Sequence, residues 1–230
     1  MAIRILAIGP APFEGVERVT PAELARRSAD ELADFSHLLV AGGDGAVRRA
    51  CGAMVRVGVV LPVILHPTGT SNILHTLLRL GPAAAILARL RAGEAVEEVA
   101  QPLHTISGEP FLFSAGDLLD RWYMVVAERL RLGPLNGSRW RYALPLPLLI
   151  PTLAALPLYL RSGHFLYYRV GPINVAIGCS REVRCGRLQL DGDLVELESA
   201  RAPIEPAGTV PILRVRSAAQ TAEAPLRAAG

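Results

Sequence analysis

Lysine is missing from this 230-residue chain: all 24 of its basic residues are arginine. That excludes a Walker P-loop, a kinase-type phosphate lysine and any Schiff-base mechanism, each of which needs a primary amine. A cationic clamp on phosphate would have to be arginine, whose planar fork favours two-point contacts. Cysteine is nearly missing too. Cys51, Cys179 and Cys185 are odd in number and have no C-x-x-C spacing, which argues against a disulfide scaffold or a zinc site and fits a reducing cytoplasm. The N-terminal apolar run is too short for a signal peptide, so a cytoplasmic location is expected. Net charge is only +3, and no nucleic-acid partner is inferred from it. With 51% hydrophobic and 20% charged residues the chain is not a disordered one, and its length suits one large domain or two small ones.

The stretch that organises the rest is Leu38–Ala53, LLVAGGDGAVRRACGA. An apolar β-type run ends in Gly42-Gly43-Asp44-Gly45 and passes into a helical pattern over Ala46–Val57. Glycines let the backbone turn tightly and lie against a ligand, and a helix N-terminus behind the turn offers free N–H groups to phosphate. Asp44 in that setting suits a cation or a proton. A second loop of the same kind, His66-Pro67-Thr68-Gly69-Thr70-Ser71-Asn72, follows the apolar run Val63–Leu65. Upstream, Ile3–Ile8 reads as a strand. Thr20-Pro21-Ala22-Glu23 and Ser28-Ala29-Asp30-Glu31 read as capping boxes, so a helix starts at Pro21 and is restarted by the second box. Strands alternating with helices predict a mainly parallel, Rossmann-like sheet, with ligands collected at the carboxyl ends of its strands, where both loops lie. From about Val96 short β-type runs take over. The expected organisation is therefore an α/β nucleotide domain over 1–95, a β-rich domain over 96–216 whose last strand returns to the first domain, and a frayed tail over 217–230.

Between Arg141 and Arg161 the sequence YALPLPLLIPTLAALPLYL carries no charge. Four prolines, Pro145, Pro147, Pro151 and Pro157, argue against a continuous spanning helix, each costing about 3 kcal/mol inside one. Residues 142–160 read either as a broken buried helix or, given their arginine and aromatic flanks, as a membrane-docking surface.

Taken together, the motifs resemble the diacylglycerol kinase catalytic family, which includes bacterial lipid kinases and sphingosine kinases and sits beside the NAD kinases. Gly42–Gly45 matches its GGDGT motif up to the last residue, and Pro67–Asn72 resembles its P-x-G-T-x-N loop. Phe113-Ser114-Ala115-Gly116 followed by Asp120 resembles F-x-x-G-x-x-x-D, and Asp191-Gly192-Asp193 resembles D-G-E. The resemblance implies a C-terminal β-sandwich, a nucleotide cleft between the domains, ATP and Mg2+ as cofactors, and transfer of the γ-phosphoryl group to a lipid alcohol such as diacylglycerol or a sphingoid base. It implies phosphate contacts from Gly42, Gly43, Gly45, Gly69, Thr70 and Asn72 and from an arginine pair, Arg131 and Arg141. It implies magnesium on Asp44, Asp191 and Asp193, with Asp193 also facing the nucleotide, a base that is either Asp44 or Asp191, and Asp120 beside the acceptor hydroxyl. Asp191 and Asp193, two residues apart, are expected to project from one face. A lipid kinase must reach its substrate at a membrane, so peripheral membrane contact is expected; a homodimer is compatible with everything read here. The sequence also departs from the pattern. Ala46 replaces the motif's threonine, Val47-Arg48-Arg49 replace polar and acidic residues, Ile73 replaces an acidic one, and the early N-P-x-x-G segment is reduced to Gly9-Pro10-Ala11-Pro12. These departures leave a second reading: a nucleotide- or lipid-binding relative on the same fold, catalytically weakened.

Overall fold

Strands buried on both faces cannot alternate apolar with polar residues, and the central strands here do not. β1 (Ile5–Ile8) is followed by a short edge strand, β2 (Val16–Val19), which the sequence reading missed because VERV is too short to show a period. Both capping boxes form as expected, but they open two separate short helices, α1 (Pro21–Leu24) and α2 (Ala29–Ala33), rather than one. β3 (His37–Gly42), α3 (Asp44–Arg56), β4 (Val63–Pro67), α4 (Ile73–Leu77) and α5 (Ala83–Arg91) complete the α/β part. The computed structural model describes residues 3–69, 72–116, 126, 129, 166–170, 173–177, 183–184, 186–197 and 201–215.

β1 pairs in parallel with β2 and β3, and β3 with β4, in register from Leu38 opposite Val63 to Gly42 opposite Pro67. Successive residues of these strands serve opposite faces. Leu6, Ile8, Leu38, Val40, Val63 and Leu65 join a core with α1 to α4, while Ile5, Ala7, Leu39, Ala41 and Ile64 join another beneath α5. Helices on both sides of a parallel sheet are what all-apolar strands require.

The first of the short β-type runs expected from about Val96 is a ten-residue strand, β5 (Glu97–Ile106). It turns back into β6 (Glu109–Phe111), and after β7 (Ser114–Gly116) the described chain resumes at β8 (Leu166–Val170) and β9 (Ile173–Ile177). Then come β10 (Val183–Arg184), β11 (Arg187–Leu190), β12 (Asp193–Glu196), β13 (Arg201–Ala202) and the long β14 (Ile204–Arg214). β14 pairs in parallel with β4 and antiparallel with β5 along its length. The first sheet therefore has seven strands, in the order β2-β1-β3-β4-β14-β5-β6, and is mostly parallel. A separate antiparallel sheet runs β12-β11-β7-β8-β9, and β10 and β13 form a two-stranded ribbon. A small cluster of Ile106, Phe111, Ala115, Leu188 and Leu190 packs the end of the first sheet onto the second. That contact brings the β11–β12 hairpin to the first glycine loop. Among the described residues no helix is long and apolar enough to cross a membrane. The uncharged stretch over 142–160 lies outside them.

Candidate functional site

Helix α3 begins at Asp44, two residues earlier than its apolar period suggests, with Gly43 in extended conformation as its N-cap. Asp44 is thus the first helical residue and not a loop residue. Its Oδ2 accepts from the Ile73 N–H at 2.8 Å and its Oδ1 from the Leu74 N–H at 3.0 Å, the first two amides of α4. The N-cap residue of α4, Asn72, makes no side-chain cap bond, so Asp44 caps that helix from across the site. One carboxylate thereby fastens the first loop to the helix that follows the second. Burial pushes the Asp44 carboxyl up, the Ile73 and Leu74 amides oppose this, and the nearby negative charge of Asp193 adds to the rise.

The two loops touch directly. Thr68 N–H donates to the Gly42 carbonyl at 3.3 Å, and a Cβ on Gly69 would lie 2.7 Å from the Gly43 Cα. Only glycine at 69 permits that approach. Asn72 takes a left-handed backbone, φ 45°, and its amide donates back to the Gly69 carbonyl at 2.5 Å, closing the second loop. Its Oδ1 is buried and has no partner among the described residues.

The third component is the β11–β12 hairpin. Asp191 and Gly192, at φ 47° and 88°, form its two-residue turn between the paired Leu190 and Asp193. Asp-Gly is the sequence such a turn favours. Here the expectation that Asp191 and Asp193 share a face is corrected. In the turn Asp191 swings inward, is 2% exposed, and accepts from the N–H groups of Leu112, Phe113 and Ser114 at 2.6, 2.9 and 2.8 Å. Burial raises its carboxyl to about 7 against the pull of those amides. It serves the backbone, and its oxygens do not face the glycine loops as a base or metal ligand would. Asp193, back in extended conformation, faces α3. Its Oδ2 accepts from Arg48 at 3.3 Å and from Arg49 at 2.5 Å, and its carboxylate lies so close over Gly45 that a Cβ there would run into it.

Arg48 is 4% exposed and is held further by the Pro110 carbonyl at 3.2 Å and Glu109 at 3.4 Å. In the sequence the two arginines stand only as replacements for polar and acidic residues. The signal that could have found their role is paired: basic residues replace polar and acidic ones after GGDG, and a shorter acid replaces glutamate in D-G-E. The two departures meet in space. The structure brings together Gly42, Gly43, Asp44, Gly45, Gly69, Asn72 and Asp193; Thr70, Asp120, Arg131 and Arg141 lie outside the described residues. Cys51 is buried in the α3 core with its thiol pushed up to about 12, which makes it inert.

The expected magnesium ligands can be tested against this geometry. Both Asp44 oxygens hold amides of α4, Asp191 is sealed among backbone N–H groups, and Asp193 is paired with two guanidinium groups. No group of three or more His, Cys, Asp or Glu among the described residues is arranged to hold a metal ion. This donor set does not fit a magnesium site.

With the geometry in hand, comparison with known proteins gives a family match. Residues 13–101 match the diacylglycerol kinase catalytic domain. The matched span runs from the first strand's exit through both glycine loops to β5. Two solved structures share the fold across nearly the whole chain. One, a candidate diacylglycerol kinase from Bacillus anthracis str. Sterne, is 12% identical with a TM-score of 0.53, covering 94% of this chain and 98% of that one. The other, a diacylglycerol kinase from the same organism, is 11% identical with a TM-score of 0.53, covering 93% and 97%. No curated protein matches. The α/β sheet followed by a separate antiparallel sheet is thus the fold of those two structures, as the resemblance implied.

Proposed function

We propose that this chain is a phosphotransferase of the diacylglycerol kinase type, moving the γ-phosphoryl group of ATP to the hydroxyl of a lipid alcohol at a cytoplasmic membrane surface. The observation that carries this reading is the joining of the two glycine loops by Asp44 inside the span that matches the catalytic domain. Phosphoryl transfer asks for positioning and charge stabilisation more than for covalent help. The loop amides at Gly43–Gly45 and the α3 N-terminus suit phosphate oxygens. Asp44 is the residue best placed to accept the hydroxyl proton, because burial and the charge of Asp193 raise its affinity for one. No step runs through magnesium, since the donor set does not fit it.

A second reading, a nucleotide- or lipid-binding relative with weakened chemistry, is favoured by Ala46 in place of a hydroxyl and by the neutralised Asp193. Incubation with radiolabelled ATP and a panel of lipid alcohols in mixed micelles separates the two. The first reading expects a labelled lipid phosphate that disappears in Asp44→Asn. No labelled lipid from any acceptor, with ATP still bound, would leave the second.

A further inference from the structure

The disagreement over magnesium points further than a lost ligand. We propose that the two-loop site takes a nucleoside polyphosphate without a divalent cation, Arg49 supplying positive charge in the place of the metal while Arg48 holds Asp193; this rests on the nucleotide reading above.

Three observations support it. The first is commitment of donors: of the three expected carboxylates, only Asp193 has an oxygen outside the contacts described above, and its other oxygen is shared by two guanidinium groups. A dication arriving there would face two positive charges at contact range, which repel it. The second is charge balance. Arg48 and Arg49 offset Asp193 and Glu109, so the floor beneath Gly45 is neutral where three bare carboxylates would call for a cation. A polyphosphate approaching these four side chains meets no net negative charge from them. The third is a division of labour between the two arginines. Arg48 is buried and tied to Asp193, Glu109 and the Pro110 carbonyl, which fixes its charge in place. Arg49 is 53% exposed and holds only the Asp193 carboxylate among its described contacts, so it can turn to a phosphate while Arg48 keeps Asp193 satisfied. Arginine suits the role because its charge is permanent and its fork matches phosphate oxygens.

The test is calorimetric titration of the full chain with ATP, once in EDTA and once in excess MgCl2. The expected result is binding in both, with dissociation constants within about threefold. Binding at least tenfold tighter with magnesium would overturn the inference and leave the nucleotide reading standing. Binding in neither buffer would overturn both. Mn2+ alone, followed by paramagnetic resonance, is expected to stay free at submillimolar concentration; a tightly bound Mn2+ overturns the proposal. In Arg49→Gln, on an exposed side chain where misfolding is not expected, affinity for metal-free ATP should fall at least threefold at unchanged melting temperature. Unchanged affinity would remove arginine from the role assigned to it.

Discussion

Asp191 and Asp193 stand two residues apart in one hairpin, yet one is a structural anchor and the other an electrostatic partner. Asp191 occupies a left-handed turn position and is driven inward, where three backbone N–H groups replace water. Asp193 returns to extended conformation, stays 34% exposed, and meets the arginines of α3. The difference shows that chemistry in a motif is set by backbone conformation as much as by spacing. A two-residue turn rotates one carboxylate out of the plane that a straight strand would have given both.

The sharpest way to break the comparison is to truncate each acid in turn. Asp191→Ala strands three buried N–H groups, and with each unmet group worth about 1–3 kcal/mol and partial relaxation, a loss of ~3–5 kcal/mol is expected in chemical denaturation. Such a loss would detach the hairpin from segment 112–114. If Asp191→Ala costs no more than Asp193→Ala, the anchor role is wrong.

The same pair can be separated by pH. The Asp191 carboxyl is raised from 3.8 to about 7 in the folded chain. A raised folded value means the folded state holds the proton more tightly than the unfolded state does. Its contribution therefore favours folding at low pH and fades as pH rises from about 4 to about 7, then levels off. Unfolding free energy measured across that window should carry a downward component in the native chain that is absent in Asp191→Asn. An identical slope in both would mean that Asp191 is ionised throughout.

Of intermediate size is the effect of crowding the contact beneath Asp193. Gly45→Ala places a methyl group where the Asp193 carboxylate sits. The carboxylate must retreat, taking the arginine pairs with it, for a cost of ~1–3 kcal/mol of the kind seen on overpacking. Gly69→Ala, which sets a methyl group against the Gly43 backbone, cannot be relieved by a side-chain movement and should also abolish ATP binding. A Gly69→Ala chain that binds ATP as the native one does would mean the loops are not the nucleotide site.

Much of this was legible in the sequence because local rules and tertiary context agreed. The capping boxes at Thr20 and Ser28, the all-apolar runs at Leu38 and Val63 and the two glycine loops each carry their own physical signal. What was not legible depended on long-range partners. The return of the last strand to the first domain was expected, but its place between β4 and β5, about a hundred or more residues earlier, is reported by no period in its sequence. Asp44, at the start of α3, sends its carboxylate to α4, 29 residues on. Arg48 and Arg49 look like surface charge until the hairpin, 145 and 144 residues later, supplies Asp193.

The smallest effect is also the one that tests whether the two halves of the site are electrically connected. Asp193→Asn keeps the size of the side chain and removes its charge. Stability should fall by only about 1 kcal/mol, because Arg48 retains the Pro110 carbonyl and Glu109 and the pair with Arg49 is solvent-screened. Its signature lies elsewhere. Asp193 is one of the influences that raise the Asp44 carboxyl, so removing its charge should lower the Asp44 titration midpoint, observable by carbon-13 NMR of labelled aspartate. An Asp44 that serves as the base would then lose part of its proton affinity, and the acidic limb of any pH–rate profile should move to lower pH by the same amount. A shift in the carboxyl signal without one in the profile would separate Asp44 from the chemistry while leaving its hold on α4 intact.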